Sequence, residues 1–394
     1  MLEVLKKTIN PENINKILSI FLLKSGLILT AIFFPFMRIL NLQLKYCIFI
    51  LLLINFLLCV FFTKKIKINY FSFLVLIFLL ILSLSVQNFK FFFYFILFYS
   101  AFNIVKKNND VYLFLKLSTL SIFALSLLIV LSFAGIFNFF YFHHYSSGLI
   151  RLWGFTEKSN PNNFALLFTL IFPFIGYFYR KVNFKKIIFI FFIFFAIILT
   201  QSKAAILPIV LILPFVVFDY RVLKKRIARV YLIMFIFILI LIPVIKKSKF
   251  TKRLALMEKG YRNLIWKASF ELFLSNPLGY YNKDYKQLIY KKITTDYGEY
   301  IDKPKNTHNL PLFVLLQTGI IGFFVFSFFI FYIFYRSVVL IKHDDIFLHF
   351  TLSFFVFFFF NLLHLAISWF YFWVFLGVWS SVKPELEAIE RSKE

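Results

Sequence analysis

A Thr307-His308-Asn309 triplet stands where a long basic stretch gives way to an apolar run. An imidazole titrates near neutrality, so one at that place is suited to take a proton from a hydroxyl. A lone histidine is more often structural, and His308 gains weight from the cations that share its side of the chain. Arg262 lies in KGYRNLIWKASFELFL, where Arg262, Trp266 and Phe270 recur at i, i+4 and i+8 along one helical face. Lys203 closes Thr200-Gln201-Ser202-Lys203, a tiny connection between two short apolar runs. An ionisable group at membrane depth is costly and is a functional candidate, although a snorkelling lysine explains Lys203 equally well. Arg151 sits in FFYFHHYSSGLIRLWGFTEKSN, ahead of Pro161-Asn162-Asn163. Alone it reads as an ordinary interfacial arginine. Arginine and lysine are the residues that hold phosphate oxygens, so this set points to a phosphorylated lipid; the plainer account is a solvated loop near anionic headgroups.

The other histidines carry less. His143 and His144 are adjacent, which is poor spacing for two ligands on one face; His343 and His349 fall on the opposite side; His364 lies near a span end. No His, Cys or carboxylate cluster has metal-site spacing. There is no P-loop, dinucleotide glycine motif or GxSxG.

The elements that must position these residues are membrane helices. The 394 residues are 61% hydrophobic and 15% charged, too apolar for a soluble domain of this length. Apolar runs long enough to cross a bilayer recur from Ile20 to Trp379. We expect an all-α polytopic membrane protein with about twelve spans, near 17–35, 43–62, 70–86, 91–105, 112–137, 161–179, 187–200, 204–218, 230–245, 310–335, 346–364 and 367–381. The fourth, seventh, eighth and last are short for a crossing. The N-terminus is polar up to Lys16 and then enters a run longer than a signal-peptide core, so no cleavable signal is expected. Cys47 and Cys59 share one apolar run and read as buried small hydrophobes.

Basic clusters at Lys64, Lys65 and Lys67, at Lys106 and Lys107, at Arg180, Lys181, Lys185 and Lys186, and from Arg221 to Arg229 fall on alternate loops. That side is then cytoplasmic, with both termini inside. The net charge of +27 needs no nucleic acid to explain it. One loop breaks the pattern. Residues 246–308 fall on the outer side yet hold fourteen Lys or Arg against six Asp or Glu. Long loops translocate largely regardless of charge. Within it, Lys259 to Leu274 reads as a helix that stops before Pro277. The expected division is 1–245 for nine spans, 246–308 for the loop, and 309–394 for three spans and a cytoplasmic tail.

Four segments in order, RLWGFTEKSNPNNFA, LTQSKAAILP, RNLIWKASFELFLSNPLG and THNLPLFVLLQTGIIGF, resemble the O-antigen ligase and O-antigen polymerase superfamily. There an outer Arg-x-x-Gly precedes Asn-Pro-Asn at a span start, and Ser-Arg opens a later span. A long periplasmic loop begins with Arg and Trp and carries Asn-Pro-x-x-Gly. A His-Asn then leads into Gly-x-x-Gly. The resemblance covers roughly 150–330. Two positions depart from the pattern: Ser202-Lys203 replaces Ser-Arg, and Tyr281 stands where a second glycine is usual after Asn276-Pro277-Leu278-Gly279.

The resemblance implies an inverting, metal-independent glycosyltransferase of the bacterial inner membrane, with its active site facing the periplasm and no cofactor. The donor would be a glycan on undecaprenyl diphosphate and the acceptor a sugar hydroxyl. His308 would be the general base, Arg262 would bind the diphosphate with Lys203 as second cation, and Arg151, Trp266 and Asn309 would complete substrate binding. Such a leaving group needs no acid, and fixed cations can stabilise its developing charge. The expected partners are the lipid-linked glycan, membrane lipid and a chain-length regulator protein. The favoured activity is polymerisation of repeat units into O-antigen or a related surface polysaccharide. The ligase that moves glycan onto lipid A-core is the alternative. A flippase is less favoured, since no internal repeat or midplane charge is evident.

Overall fold

The computed structural model describes residues 28–32, 70–86, 90–105, 108–144, 150–154, 161–218, 262–281, 284–298, 307–365 and 370–382. The expected second and ninth spans, most of the first, Cys47, Cys59, and the loop residues Lys246 to Lys259, Lys283, Lys303 and Lys305 lie outside them. The described chain is mostly helical. Among the described residues, four helical stretches are long and apolar enough to cross a membrane: Asn108–Phe133, Pro161–Phe178, Leu310–Leu340 and Ile346–Leu363. Shorter apolar helices accompany them.

The chain forms two compact units. In the first, α1 (Tyr70–Val86), α2 (Lys90–Ile104) and the start of α3 (Asn108–Phe133) gather with α12 (Phe370–Ser381). The closest pair is α2 with α12. It is close because Gly377 lays bare backbone against Phe98 O, where a Cβ would collide. Trp373 stacks on Tyr94, and Tyr371 donates to the Ser118 hydroxyl at 2.8 Å.

The second unit runs from Ile122 to Ile367 and holds every site residue inferred from the motifs. Its helices are α4 (Pro161–Ile171), α5 (Phe174–Phe178), α6 (Phe184–Thr200), α7 (Lys203–Val217), α8 (Arg262–Ser275), α9 (Tyr285–Asp296), α10 (Leu310–Leu340) and α11 (Ile346–Leu363). The expected sixth span is broken between α4 and α5 at Phe172-Pro173. Proline's ring and missing N–H interrupt the helix ladder there. α11 is the central strut, packing on α10, α7, α4 and α5. Asn183 caps α6, its side chain accepting from Lys186 N at 2.8 Å. α7 keeps its helix through Pro208 and Pro214, as apolar membrane helices can when neighbours surround them.

The fold departs from all-α in one place among the described residues. Tyr141–His144 (β1) and Ile150–Gly154 (β2) form an antiparallel hairpin. The aromatic and branched residues of YFHH and IRLWG suit strands, but both runs are too short for a periodicity to show.

α8 covers Arg262–Ser275 among the described residues and ends before Pro277, as expected; the expected helical residues Lys259, Gly260 and Tyr261 lie outside the described residues. Some of the loop's charge is paired locally: Lys292 of α9 meets Glu271 at 3.2 Å and Asp296 at 2.7 Å, and Lys267 lies 4.7 Å over the Tyr297 ring. Both carboxylates are held below their ordinary pKa, Glu271 mainly by the nearby Tyr297 hydroxyl and Asp296 mainly by the hydrogen bond from Lys292.

Candidate active site

α10 begins beside His308. It is 31 residues long, on the order of 47 Å at 1.5 Å per residue. α11 turns back along it, so the residue after α11, His364, returns to the end where α10 began. The His308 and His364 rings meet edge to face, centroids 6.0 Å apart. Asn309 fastens the two helix ends together. Its Oδ1 accepts from Leu312 N at 2.9 Å, capping α10, and its Nδ2 donates to Leu362 O at 3.1 Å. Both ends of the amide expected to bind substrate are therefore engaged in holding this corner.

His308 itself has φ +51, in the left-handed region that few residues other than glycine adopt. Thr307 fixes it there. The buried Thr307 hydroxyl donates to Asn309 O at 2.8 Å and accepts from Asn309 N at 3.4 Å, closing a tight turn around residue 308. Trp266 completes the clamp, its indole N–H donating to Thr307 O at 3.0 Å. This bond joins α8 to the turn and gives Trp266 a partner more specific than a headgroup layer. Trp266→Phe keeps a smaller aromatic ring and deletes that bond. It should cost roughly 0.5–1.5 kcal/mol, readable as a lower melting temperature of the purified protein.

The placement of α8 against α10 rests on an exchange of backbone hydrogen bonds. Gly319 interrupts α10 with φ 64 and ψ −166. In an unbroken helix Ile320 N would donate to Leu316 O. Here Ile320 N donates to Pro277 O at 2.9 Å, and Leu316 O accepts from Tyr280 N at 2.7 Å. Tyr281 adds its hydroxyl to Thr318 O at 3.0 Å. The Asn276-Pro277-Leu278-Gly279 turn thus repairs the broken rung of α10. Two glycines make the approach possible. A Cβ on Gly319 would overlap the Leu278 carbonyl, and one on Gly279 would lie 2.5 Å from Gly319 N. The tyrosine that stands in place of the usual second glycine has a structural task of its own.

On the other flank, Arg151 of β2 donates through Nε to Thr200 O, the last carbonyl of α6, at 2.9 Å. A cation suits that negative end of the helix dipole. Gln201 answers by donating Nε2 to Ile150 O at 2.9 Å. The hairpin is thereby laced to the α6–α7 junction. Lys203 opens α7 and is exposed, directly after Ser202. The Ser202 hydroxyl is buried with no hydrogen-bond partner among the described residues. A helix N-terminus with a lysine and a hydroxyl is a fitting place for an anion. His143 stands opposite Arg151 in the ladder, on the same face.

Electrostatics ties the two flanks. His308 is pushed down to about 4, first by burial and then by the Arg262 charge. His364 is pushed down to about 3 by burial, then by Arg262, His308 and Arg151. Burial also lowers Arg262, which stays charged at neutrality. Arg262, His308 and Arg151 all act on His364, whose ring meets that of His308, and Arg262 also acts on His308. Lys203 lies three residues beyond Thr200, the acceptor of the Arg151 bond. His349 is excluded: it begins α11, fifteen residues and roughly 22 Å of helix from His364, packed on Phe174 and Tyr177. Among the described residues no group of three His, Cys, Asp or Glu side chains is placed to hold a metal.

Cations beside a neutral imidazole have the chemistry to hold a phosphorylated group and to take a proton from a hydroxyl. Residues 188–327 match the O-antigen ligase family. The match bears out the resemblance drawn from the four motifs. It contains Lys203, Arg262, Trp266, His308, Asn309 and Gly319, while Arg151 and His364 flank it. It supports a membrane glycosyltransferase of O-antigen ligase or polymerase type, working on lipid-linked glycans in a membrane. No curated protein matches the chain.

His364 escaped the motifs, but its position held a signal. Two successive spans separate it from His308, so the chain must return to the same side.

Proposed function

We propose that this protein polymerises undecaprenyl-diphosphate-linked oligosaccharide repeat units into O-antigen or a related surface polysaccharide, at the periplasmic face of the bacterial inner membrane. The observation that carries this is the Trp266–Thr307 bond, which brings the first turns of α8, headed by Arg262, against the His308 turn at the start of α10. In the reaction the acceptor hydroxyl attacks the anomeric carbon as its proton passes to His308. The bond from that carbon to the diphosphate breaks, and its electron pair leaves on the phosphate oxygen. Arg262 and Lys203 stabilise the charge that develops there, in the place a metal ion would otherwise take. An in-line attack with no second nucleophile inverts the anomeric centre. Trp266 and Asn309, whose bonds lock the His308 turn, act as positioning groups. The α8–α9 segment forms part of the outer loop, and a chain-length regulator is the protein partner to seek.

Purified protein given lipid-linked repeat units should build a ladder of longer lipid-linked chains. Absence of any growth would count heavily against the proposal. The family description favours a second reading, transfer of finished glycan to lipid A-core. Gene deletion separates them. Lipopolysaccharide capped with a single repeat marks a lost polymerase; core-only molecules mark a lost ligase.

A further inference from the structure

The mechanism above uses one of two histidines that occupy the same corner. His364 is the C-cap of α11, and its ring stacks on Phe360 with centroids 4.9 Å apart. That stack sets the plane of the imidazole before any substrate arrives. Its other neighbour is His308, at 6.0 Å and an interplanar angle of 77°. The Asn309–Leu362 bond holds the two backbones in that relation. The titratable and charged groups acting on His364 are Arg262 from α8, Arg151 from β2 and His308; its own helix contributes the apolar Phe360 face. Burial, followed by nearby charge, keeps both imidazoles uncharged near neutrality, so the pair has room for one incoming proton and not two.

We propose that His364 is a positioning residue for His308, the two rings acting as one base that accepts a single proton. When the acceptor oxygen bonds to the anomeric carbon and the diphosphate departs with its electron pair, the hydroxyl proton goes to His308. His364 stays neutral and offers the adjacent imidazolium a polar neighbour in place of a second charge. The proton then leaves to water. This rests on the glycosyl-transfer reading, and the two can fail separately.

The test uses the full-length protein in detergent or vesicles. Its probe is undecaprenyl-diphosphate-linked repeat units extracted from a strain lacking the protein. His364→Phe preserves the stack on Phe360 and deletes both nitrogens. It should lower kcat about tenfold, leave the donor KM within about twofold, and move the acid limb of kcat to lower pH. His364→Gln, which restores a polar neighbour, should recover much of the lost rate. Wild-type kcat and pH profile in His364→Phe would overturn the pairing. So would equal losses in the Phe and Gln variants with an unchanged pH profile, since that pattern marks packing alone. Full activity in His308→Ala would instead remove the underlying reaction scheme.

Discussion

His308→Ala is expected to lower kcat for chain growth by about 10²–10⁴-fold, the range a positioned general base supplies, with little change in donor affinity. The protein should still fold, because the turn is held by Thr307, Asn309 and Trp266 and the imidazole takes no part in those bonds. The pH dependence follows with a definite sign. A base works only when neutral, and burial followed by the Arg262 charge holds His308 down to about 4. Activity measured as kcat/KM, which reports the free enzyme, should therefore persist well below the ordinary histidine range and fall only as pH approaches about 4. A bound diphosphate offsets the Arg262 charge and so raises His308. The acid limb of kcat, which reports the complex, should lie at higher pH than that of kcat/KM. A shared limb near 6.5, the ordinary histidine value, would show that His308 does not sit in this environment when it works.

Gly319→Ala is expected to be the most damaging small substitution far from the chemistry. Its φ of 64 and ψ of −166 lie in a region that only glycine visits readily, at a cost on the order of 1–3 kcal/mol for any other residue. The added methyl would also occupy the place of the Leu278 carbonyl and sit 2.7 Å from Pro277 O. The turn cannot retreat without breaking the Ile320–Pro277 and Tyr280–Leu316 bonds. Loss of those bonds frees α8 from α10 and separates Arg262 from His308. We expect a lower melting temperature together with loss of chain growth. Gly322→Ala is the matched comparison. There the methyl crowds Cβ and Oγ1 of Thr318 within α10, a collision that side-chain rotation does not relieve. But φ is ordinary and the bonds to the Pro277 turn are not displaced, so stability should fall with less loss of chain growth. Equal tolerance at both positions would argue that the exchange does not hold the site together.

Much of this arrangement could be read before any coordinates. Uninterrupted apolar runs marked α3, α10 and α11, because in lipid the backbone must satisfy itself within the helix. The extent of α8 followed from Pro277, and His308 stood out at the boundary between charge and apolar sequence. Less legible were features that depend on distant pairing. The Gly319 break gives no local sign that its partner is Pro277, since Gly-x-x-Gly in an apolar run also serves simple helix packing. Arg151 alone looked like a snorkelling residue; its meaning came from a carbonyl forty-nine residues away. His364 seemed peripheral because spacing along the chain says little about closeness across an α-helical hairpin. The motif around Asn309 points to substrate binding and gives no sign that its amide caps α10 and holds Leu362.

The central claim is that Arg262 and His308 serve one site, the first on the donor diphosphate and the second on the acceptor hydroxyl. The most direct measurement compares wild type, Arg262→Ala and His308→Ala in purified form. Each would be assayed for binding of an undecaprenyl-diphosphate-linked repeat unit and for its elongation. Wild type should bind and elongate, His308→Ala should bind without elongating, and Arg262→Ala should lose both. Elongation by His308→Ala at the wild-type rate, or undiminished donor binding by Arg262→Ala, would contradict the account.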